Sequence, residues 1–249
     1  MEKPQNIYDN STFYDEYKNM REKQINANEL IEIPIIKSML PTLKGKRILD
    51  LGCGNGTMSK YFIENGASYV LALDISKNMI EEAKEKNNDK SIKYEVLGME
   101  EISSIKEKFD LVFSSLAFHY IEDFNKLIND IYNLLNKDGI LLFSQEHPNV
   151  LASILEPGME KYIQTNNKRY YYLSDYNNNG KRVVLWNNSN VIKYHRNFEI
   201  TINTLIKNNL NILEIRESTA SEEAIKLVDK YKYQKDRSYF LFIKAKKNN

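Results

Sequence analysis

Short apolar runs bounded by charge alternate along this chain with stretches whose apolar positions recur every three or four residues. Residues 46–51 form the first run, and 69–73, 109–115 and 140–146 repeat it. Each suits a parallel strand buried on both faces. Residues 92–97 alternate apolar and polar positions, as a half-buried strand does. Between these runs, 58–65, 77–86 and 123–135 carry helical patterns, and 77–86 sets Met79, Ile80 and Ala83 on one inward face. Asn136, Lys137, Asp138 and Gly139 read as a helix stop and turn. Strand and helix in this order predict an α/β fold with a doubly wound, mostly parallel sheet.

The two ends of the chain depart from that rhythm. Residues 8–40 predict two helices ahead of the sheet, with Phe13, Tyr14, Tyr17, Met20 and Arg21 at helical spacing in the first. Pro34 suits the first turn of the second, and Pro41 ends it. From 149 to about 194 helical periodicity vanishes, and asparagine, tyrosine and lysine dominate. This predicts a β-rich insertion, with a hairpin turn at Asn179-Gly180. Its aromatic content is too high for a disordered linker. A helix at 198–209, a strand at 210–216, a helix at 222–231 and a strand at 238–245 bring the strand count to seven.

Composition narrows the partners. Lysine and arginine number 35 against 34 acids, a net charge of +1. Such a balance leaves no excess to neutralise a phosphate backbone, so no nucleic-acid partner is expected. Cys53 is the sole cysteine, which excludes an intrachain disulfide and is compatible with a reducing compartment. The stretch 1–20 is polar and aromatic, unlike a signal peptide or membrane anchor. No run approaches the roughly 18 apolar residues of a spanning helix. The expectation is a cytoplasmic protein with no membrane partner; oligomeric state stays open.

Candidate chemistry begins where the first strand ends. Asp50-Leu51-Gly52-Cys53-Gly54-Asn55-Gly56-Thr57 carries glycine at three alternate positions, which frees a turn to take φ > 0 and lets a ligand approach the backbone. A pyrophosphate-binding G-x-G-x-x-G would need glycine at 57, where threonine stands. Asp50 would also repel a pyrophosphate and welcome a cation. Asp74 closes the second strand about 20 residues after the first glycine, where a carboxylate is placed to accept hydrogen bonds from a ribose diol. The competing reading is that Asp74 only caps the helix beginning near Ser76.

Taken together, Asp50, the triplet Gly52, Gly54 and Gly56, and Asp74 resemble the first motif and following acid of the class I S-adenosylmethionine-dependent methyltransferases. The likeness is to a bacterial, small-molecule, type 11-like subgroup whose members open with a comparable Phe-Tyr…Tyr…Arg-Glu pattern. The resemblance covers 40–148 best. It implies a Rossmann-like seven-stranded sheet with its last strand antiparallel between the fifth and sixth. The chain would then be a single domain, 1–249. A helical lid at 1–40, a cofactor-binding core at 41–148, a cap at 149–195 and the C-terminal part of the sheet at 196–249 make it up.

The resemblance implies S-adenosyl-L-methionine as cofactor and S-adenosyl-L-homocysteine as product. It assigns Asp50 to the cofactor's amino group, Cys53 to the turn, and Ile75 and Met79 to the segment after the second strand. Met99 and Glu100 would line the adenine, although Gly98 departs from the family's usual residue there. Ser115 would close the site at the end of the fourth strand, and Tyr17 and Arg21 would fold over the cofactor. The strand end at 114–121 lacks the [DNS]-P-P-[YF] signature of DNA amino-methyltransferases, which points to a small-molecule acceptor.

Methyl transfer is an in-line displacement, so positioning outranks any single side chain. A general base helps where the acceptor must lose a proton. His119 lies past the fourth strand, His147 past the fifth, and His195 in Lys193-Tyr194-His195-Arg196. Histidine titrates near neutrality and suits that task. His147 with Glu146 is the first choice, followed by His119 and His195. No metal is expected, since the histidines lack local ligand spacing. The rival functions are a catalytically silent binder of the same cofactor and a nicotinamide oxidoreductase.

Overall fold

A computed structural model describes residues 5–22, 25–154, 160–166, 168–186 and 188–248, with only the backbone at 20–22. Five parallel strands form its centre: β1 (Arg47–Leu51), β2 (Tyr69–Asp74), β3 (Ile92–Val96), β4 (Phe109–Ser114) and β5 (Leu135–Glu146). Together with β10 (Leu210–Glu217) and β11 (Phe240–Lys247) they make a seven-stranded sheet in the order β10-β11-β5-β4-β1-β2-β3. β11 is antiparallel to both β5 and β10, as the family resemblance implies.

Alternation along each strand builds two cores. Leu49, Leu71, Val112 and Phe143 point to one face, against α5 (Phe124–Leu134) and α7 (Phe198–Lys207). Ile48, Val70, Leu111 and Leu142 point to the other, where α3 (Thr57–Glu64) and α4 (Lys77–Lys86) pack with Phe62 and Ile80. Both faces are covered, which is why these strands read as continuous apolar runs. The helices start at side-chain caps: the Ser76 hydroxyl accepts from the Met79 N–H, Asp123 from Lys126, and Asn197 from Ile200.

Ahead of the sheet, α1 (Ser11–Glu22) is followed by a π-type turn, Asn28–Glu32, that runs into α2 (Ile33–Ser38). Pro34 sits in the first turn of α2. This leading segment is tied down over the end of β2. Asp9 accepts from the Ser76 hydroxyl at 2.6 Å and the Asn78 N–H at 3.2 Å, and Asn6 donates to the Ile75 carbonyl at 3.2 Å.

The insertion after β5 holds a short α6 (Pro148–Leu151) and two antiparallel hairpins. One joins β6 (Tyr162–Thr165) to β7 (Lys168–Tyr171), the other β8 (Gly180–Trp186) to β9 (Ser189–His195). The hairpin turn expected at Asn179-Gly180 is not one. Gly180 opens β8 opposite His195, and that hairpin reverses between Trp186 and Ser189, where Asn188 takes φ +52°. Likewise Asp138, not Gly139, adopts the left-handed backbone after α5, with φ +61°. Asparagine and aspartate tolerate this region through their short polar side chains. The helix expected at 222–231 ends early: α8 spans Glu222–Leu227, and a 3-10 turn covers Asp229–Lys235. Among the described residues, no helix is long and apolar enough to cross a membrane.

Candidate active site

The carboxyl ends of β1, β2, β4 and β5, the leading helices and the insertion enclose one continuous cavity of about 1100 Å³. Its inner wall is the turn after β1. There the N–H groups of Gly52 and Cys53 donate to the Leu73 carbonyl at 2.8 and 2.9 Å, and Gly54 donates to an Asp74 carboxylate oxygen at 2.9 Å. Gly52 has φ +70°, and a Cβ there would lie 2.7 Å from the Ala117 Cβ and 2.9 Å from the Met99 Cε. Glycine therefore both permits the turn and lets the Ala117 and Met99 side chains pack directly on it.

Two carboxylates flank the turn, Asp50 buried and Asp74 half-buried. Asp50, 1% exposed, accepts from the Ser59 hydroxyl at 2.6 Å. Burial pushes its carboxyl up to about 7, with the Asp74 charge adding to the rise and Ser59 opposing it. Asp74 is pushed up to about 6 by burial, against the N–H donors of Ser76 and Gly54. Asp74 does not cap α4; Ser76 does.

Most of the expected cofactor residues line this cavity: Asp50, Gly52, Cys53, Gly54 and Asp74 on the inner wall, then Ile75 and Met79 beyond β2. Met99, Glu100, Ser115 and Tyr17 line it as well. Gly98 leaves room for Glu100, since a Cβ there would come within 3.1 Å of the Glu100 carboxylate. Gly56 stands apart. With φ +79° it caps α3 against the Tyr94 ring, so its part is to end the turn. Arg21 falls in the last turn of α1, and its side chain lies outside the described residues. Burial pushes the Cys53 thiol well up, and its Sγ lies 3.6 Å from the Gly54 carbonyl, so it is held as a neutral wall group.

The histidines separate. His119 lines the cavity, 4% exposed, with Nδ1 accepting from the Glu146 N–H at 3.4 Å. Burial drops its pKa to about 3, so the imidazole is neutral. His147, the first choice from sequence, is not on the cavity. Its Nε2 contacts Glu217 at 2.7 Å, and its Nδ1 accepts from the Asn149 N–H at 3.1 Å, capping α6. His195 is also turned away, bonded through Nε2 to the Tyr176 carbonyl at 2.9 Å and held neutral by burial. Neither base candidate lines the cavity: His147, past the end of β5, caps α6, and His195, the last residue of β9, closes on the backbone of Tyr176. Among the described residues, no group of three His, Cys, Asp or Glu side chains can hold a metal.

Glu146 does line the cavity, paired with the Lys193 ammonium at 2.6 Å. Burial raises its pKa, but Lys193, His119 and Lys161 together outweigh that and hold it below the usual range. Lys193 lies 5.1 Å from the Trp186 ring and 5.9 Å from that of Tyr120. Lys193 belongs to no motif, although strand alternation puts Val191, Lys193 and His195 on one buried face. Glu32 was also missed. Fully buried, it accepts from Ser115 at 3.0 Å and Ser144 at 2.6 Å, fastening the leading helices to the ends of β4 and β5. Beside it Leu116 holds a left-handed φ of +52°, its N–H on the Ser144 hydroxyl at 3.0 Å.

Comparison with known proteins places this geometry. Residues 49–143 match the family model of a methyltransferase domain. A solved S-adenosylmethionine-dependent methyltransferase from Mesorhizobium loti is 32% identical, with a TM-score of 0.79, and the match covers 89% of this chain and 98% of that one. A Haemophilus influenzae protein of unassigned function is 35% identical over 97% of this chain and 96% of its own length. A malonyl-[acyl-carrier protein] O-methyltransferase from Acetivibrio thermocellus is 32% identical, over 54% of this chain and only 46% of that protein.

Proposed function

Because the chain belongs to the class I S-adenosylmethionine-dependent methyltransferases, we propose that it methylates a small molecule held in the part of the cavity under the insertion. The observation that carries this reading is the continuity of the cavity, which joins the glycine turn and Asp74 to His119, Glu146 and the insertion.

The residues present fit the cofactor. At Gly54 a Cβ would stand in open space on the cavity wall, so glycine leaves the backbone bare there, and Asp50 and Asp74 stand at the turn. In this reading Asp74 grips the ribose diol, Asp50 receives the amino group, and Met99 and Glu100 lie along the adenine. Ile75, Met79 and Ser115 complete the enclosure, and the segment 1–40 acts as a lid through Tyr17. When bound, S-adenosylmethionine supplies a methyl group on a sulfonium whose departure leaves a neutral thioether, so no acid is needed.

The chain's own contribution is then alignment. Holding an acceptor in line is worth on the order of 7–11 kcal/mol, whereas a base adds about 10²–10⁴-fold. His119, neutral through the physiological range, serves by hydrogen bonding, and Glu146 with Lys193 sets the polarity around the acceptor. Tyr120 and Trp186 supply an aromatic wall that limits water around the transfer.

Calorimetry with S-adenosylhomocysteine and NADH, followed by assay of S-adenosylhomocysteine release on a panel of phenols, acids and amines, tests the proposal. Tight binding of the thioether with release on a small acceptor supports it. Binding without release across the panel favours a silent cofactor-binding protein, and binding of NADH alone would overturn the reading.

A further inference from the structure

His119 stands in the 3-10 turn Phe118–Tyr120 that follows the tip of β4. Arg196 grips that turn on both sides of the histidine, donating to the carbonyls of Phe118 and Ile121 at 2.5 and 2.6 Å. The Tyr120 ring packs beside the imidazole, with 4.3 Å between centroids. Turn and ring are therefore held in place before any ligand arrives.

Within that frame the proton on the ring has one position. Nδ1 accepts from the Glu146 N–H at 3.4 Å, so it carries no proton of its own. The direction of that N–H is set by the sheet, where Glu146 pairs opposite Phe240 of β11. In a neutral imidazole the protonated nitrogen follows from the bond that the other one makes, which puts the proton on Nε2. Burial keeps the ring neutral, with the Lys193 and Arg196 cations adding to that and the Glu146 carboxylate opposing it. Among the described residues no group takes the Nε2–H. The Nδ1 of His195 and the Nε of Arg196 are sealed in the protein without a partner, whereas the Nε2 of His119 is not sealed, and its residue lines the cavity.

Resting on the methyltransferase reading, we infer that His119 donates a hydrogen bond to the methyl acceptor and that the reacting atom is the oxygen of an acidic hydroxyl. A base would need a bare nitrogen toward the cavity, and this ring offers an N–H. An uncharged amine has one lone pair, which bonding to the methyl requires, so a donor directed at it opposes transfer. An oxyanion has several: one accepts from Nε2–H while another attacks. The same bond favours the ionised oxygen over the hydroxyl, so the acceptor's proton leaves to solvent on binding. The O–C bond then forms as the C–S bond breaks with its electron pair left on sulfur. Oxyanion and sulfonium give a neutral ether or ester and a neutral thioether.

The test uses the full chain with isotopically labelled histidine, which carries three such rings. His119 is identified by its loss in His119→Gln. The expected spectrum shows a protonated Nε2 and a bare Nδ1 from about pH 5 to about pH 8. The opposite tautomer, or a ring that titrates in that range, overturns the inference. The chain is then saturated with S-adenosylhomocysteine and titrated with para-nitrophenol, whose phenolate is read by its absorbance. Bound probe should hold at least about tenfold more phenolate than free probe at the same pH, the scale of one hydrogen bond to a charged group. It should also move the Nε2 resonance. para-Nitroaniline, which puts nitrogen where the oxygen stands, should bind at least about tenfold more weakly. His119→Leu should erase both differences, and His119→Gln, whose amide keeps an N–H, should retain part of them. Benzoate in competition separates the two sources of an acidic oxygen, since the tighter probe names carboxylate or phenolate. An unshifted phenolate fraction, equal binding of para-nitroaniline, no binding of either oxygen acid up to its solubility, or differences that survive His119→Leu overturns the inference. If the His119 variants do not fold, loss of the other two resonances in His147→Ala and His195→Gln assigns the ring, and the titrations of the unsubstituted chain decide. Failure of S-adenosylhomocysteine to bind at the outset instead overturns the methyltransferase reading, and this inference with it.

Discussion

Asp74 accepts a hydrogen bond from the Gly54 N–H at 2.9 Å, which ties the tip of β2 to the glycine turn that follows β1. Its second oxygen accepts from the Ser76 N–H at 2.9 Å. An ionised carboxylate has about four acceptor sites, so capacity remains for a diol. Asp74→Ala should therefore lower affinity for S-adenosylhomocysteine by about 1.5–3 kcal/mol, the worth of hydrogen bonds to a charged group. Asp74→Asn, which keeps an acceptor for the turn, should fall between the two. Unchanged affinity of Asp74→Ala in calorimetry would remove this residue from the site.

Cofactor binding should depend on pH with a definite sign. The ligand-free protein holds Asp50 up to about 7 and Asp74 up to about 6, both through burial. A cationic amino group favours the ionised forms, so any proton held before binding must leave on binding. Affinity for S-adenosylhomocysteine is expected to be highest at about pH 8, where the carboxylates are ionised and the amino group still charged, and to fall as pH drops through the two values. Calorimetry near pH ~6.5 in buffers of different ionisation enthalpy should register proton release. No release, with affinity flat across that window, would contradict the assignment of both carboxylates.

Much of this was legible in the sequence because it is carried by short segments. A buried parallel strand, a glycine turn and a strand-end acid are local patterns, and Asp50, Gly52 and Asp74, read from them, line one cavity. What lay beyond strand ends was harder. His147 follows β5, whose tip does face the site, but the direction of a side chain beyond a strand depends on where the chain goes next, and His195 ends β9 in a hairpin the sequence did not place. In both cases the ring closes on a nearby group instead, Glu217 and the Tyr176 carbonyl. Long-range partners such as Glu32 with Ser144, 112 positions apart, leave no local trace at all. The hairpin turn expected at Asn179-Gly180 lies elsewhere for a related reason, since Asn188 takes the left-handed backbone that glycine was expected to supply.

The change of role for His147 yields its own prediction. His147→Ala removes the cap of α6 and the contact with Glu217, and should cost on the order of 1 kcal/mol of stability. Turnover at saturating substrate should stay the same, because the ring does not line the cavity. His119→Ala, which opens the cavity wall, should instead slow turnover with a modest stability loss. A melting curve and a saturating rate for each variant separate the two roles. A rate loss in His147→Ala larger than that in His119→Ala would restore His147 as the base.

The pair of Lys193 and Glu146 makes the sharpest demand on the structure. Their side chains are 5% and 19% exposed, and the second Glu146 oxygen is buried without a partner. Removing one member of a buried pair leaves an uncompensated charge, which typically costs about 3–5 kcal/mol. Lys193→Met should therefore unfold at markedly lower denaturant than the parent. Adding Glu146→Gln to that variant removes the stranded charge and should recover much of the stability, though not the turnover if the pair sets the polarity around the acceptor. A thermodynamic cycle over the four proteins, read by denaturant melts beside saturating rates, distinguishes the outcomes. Stabilities that simply add would mean that the two charges do not depend on each other. Recovered turnover in the double variant would mean that the pair holds the insertion in place without acting on the acceptor.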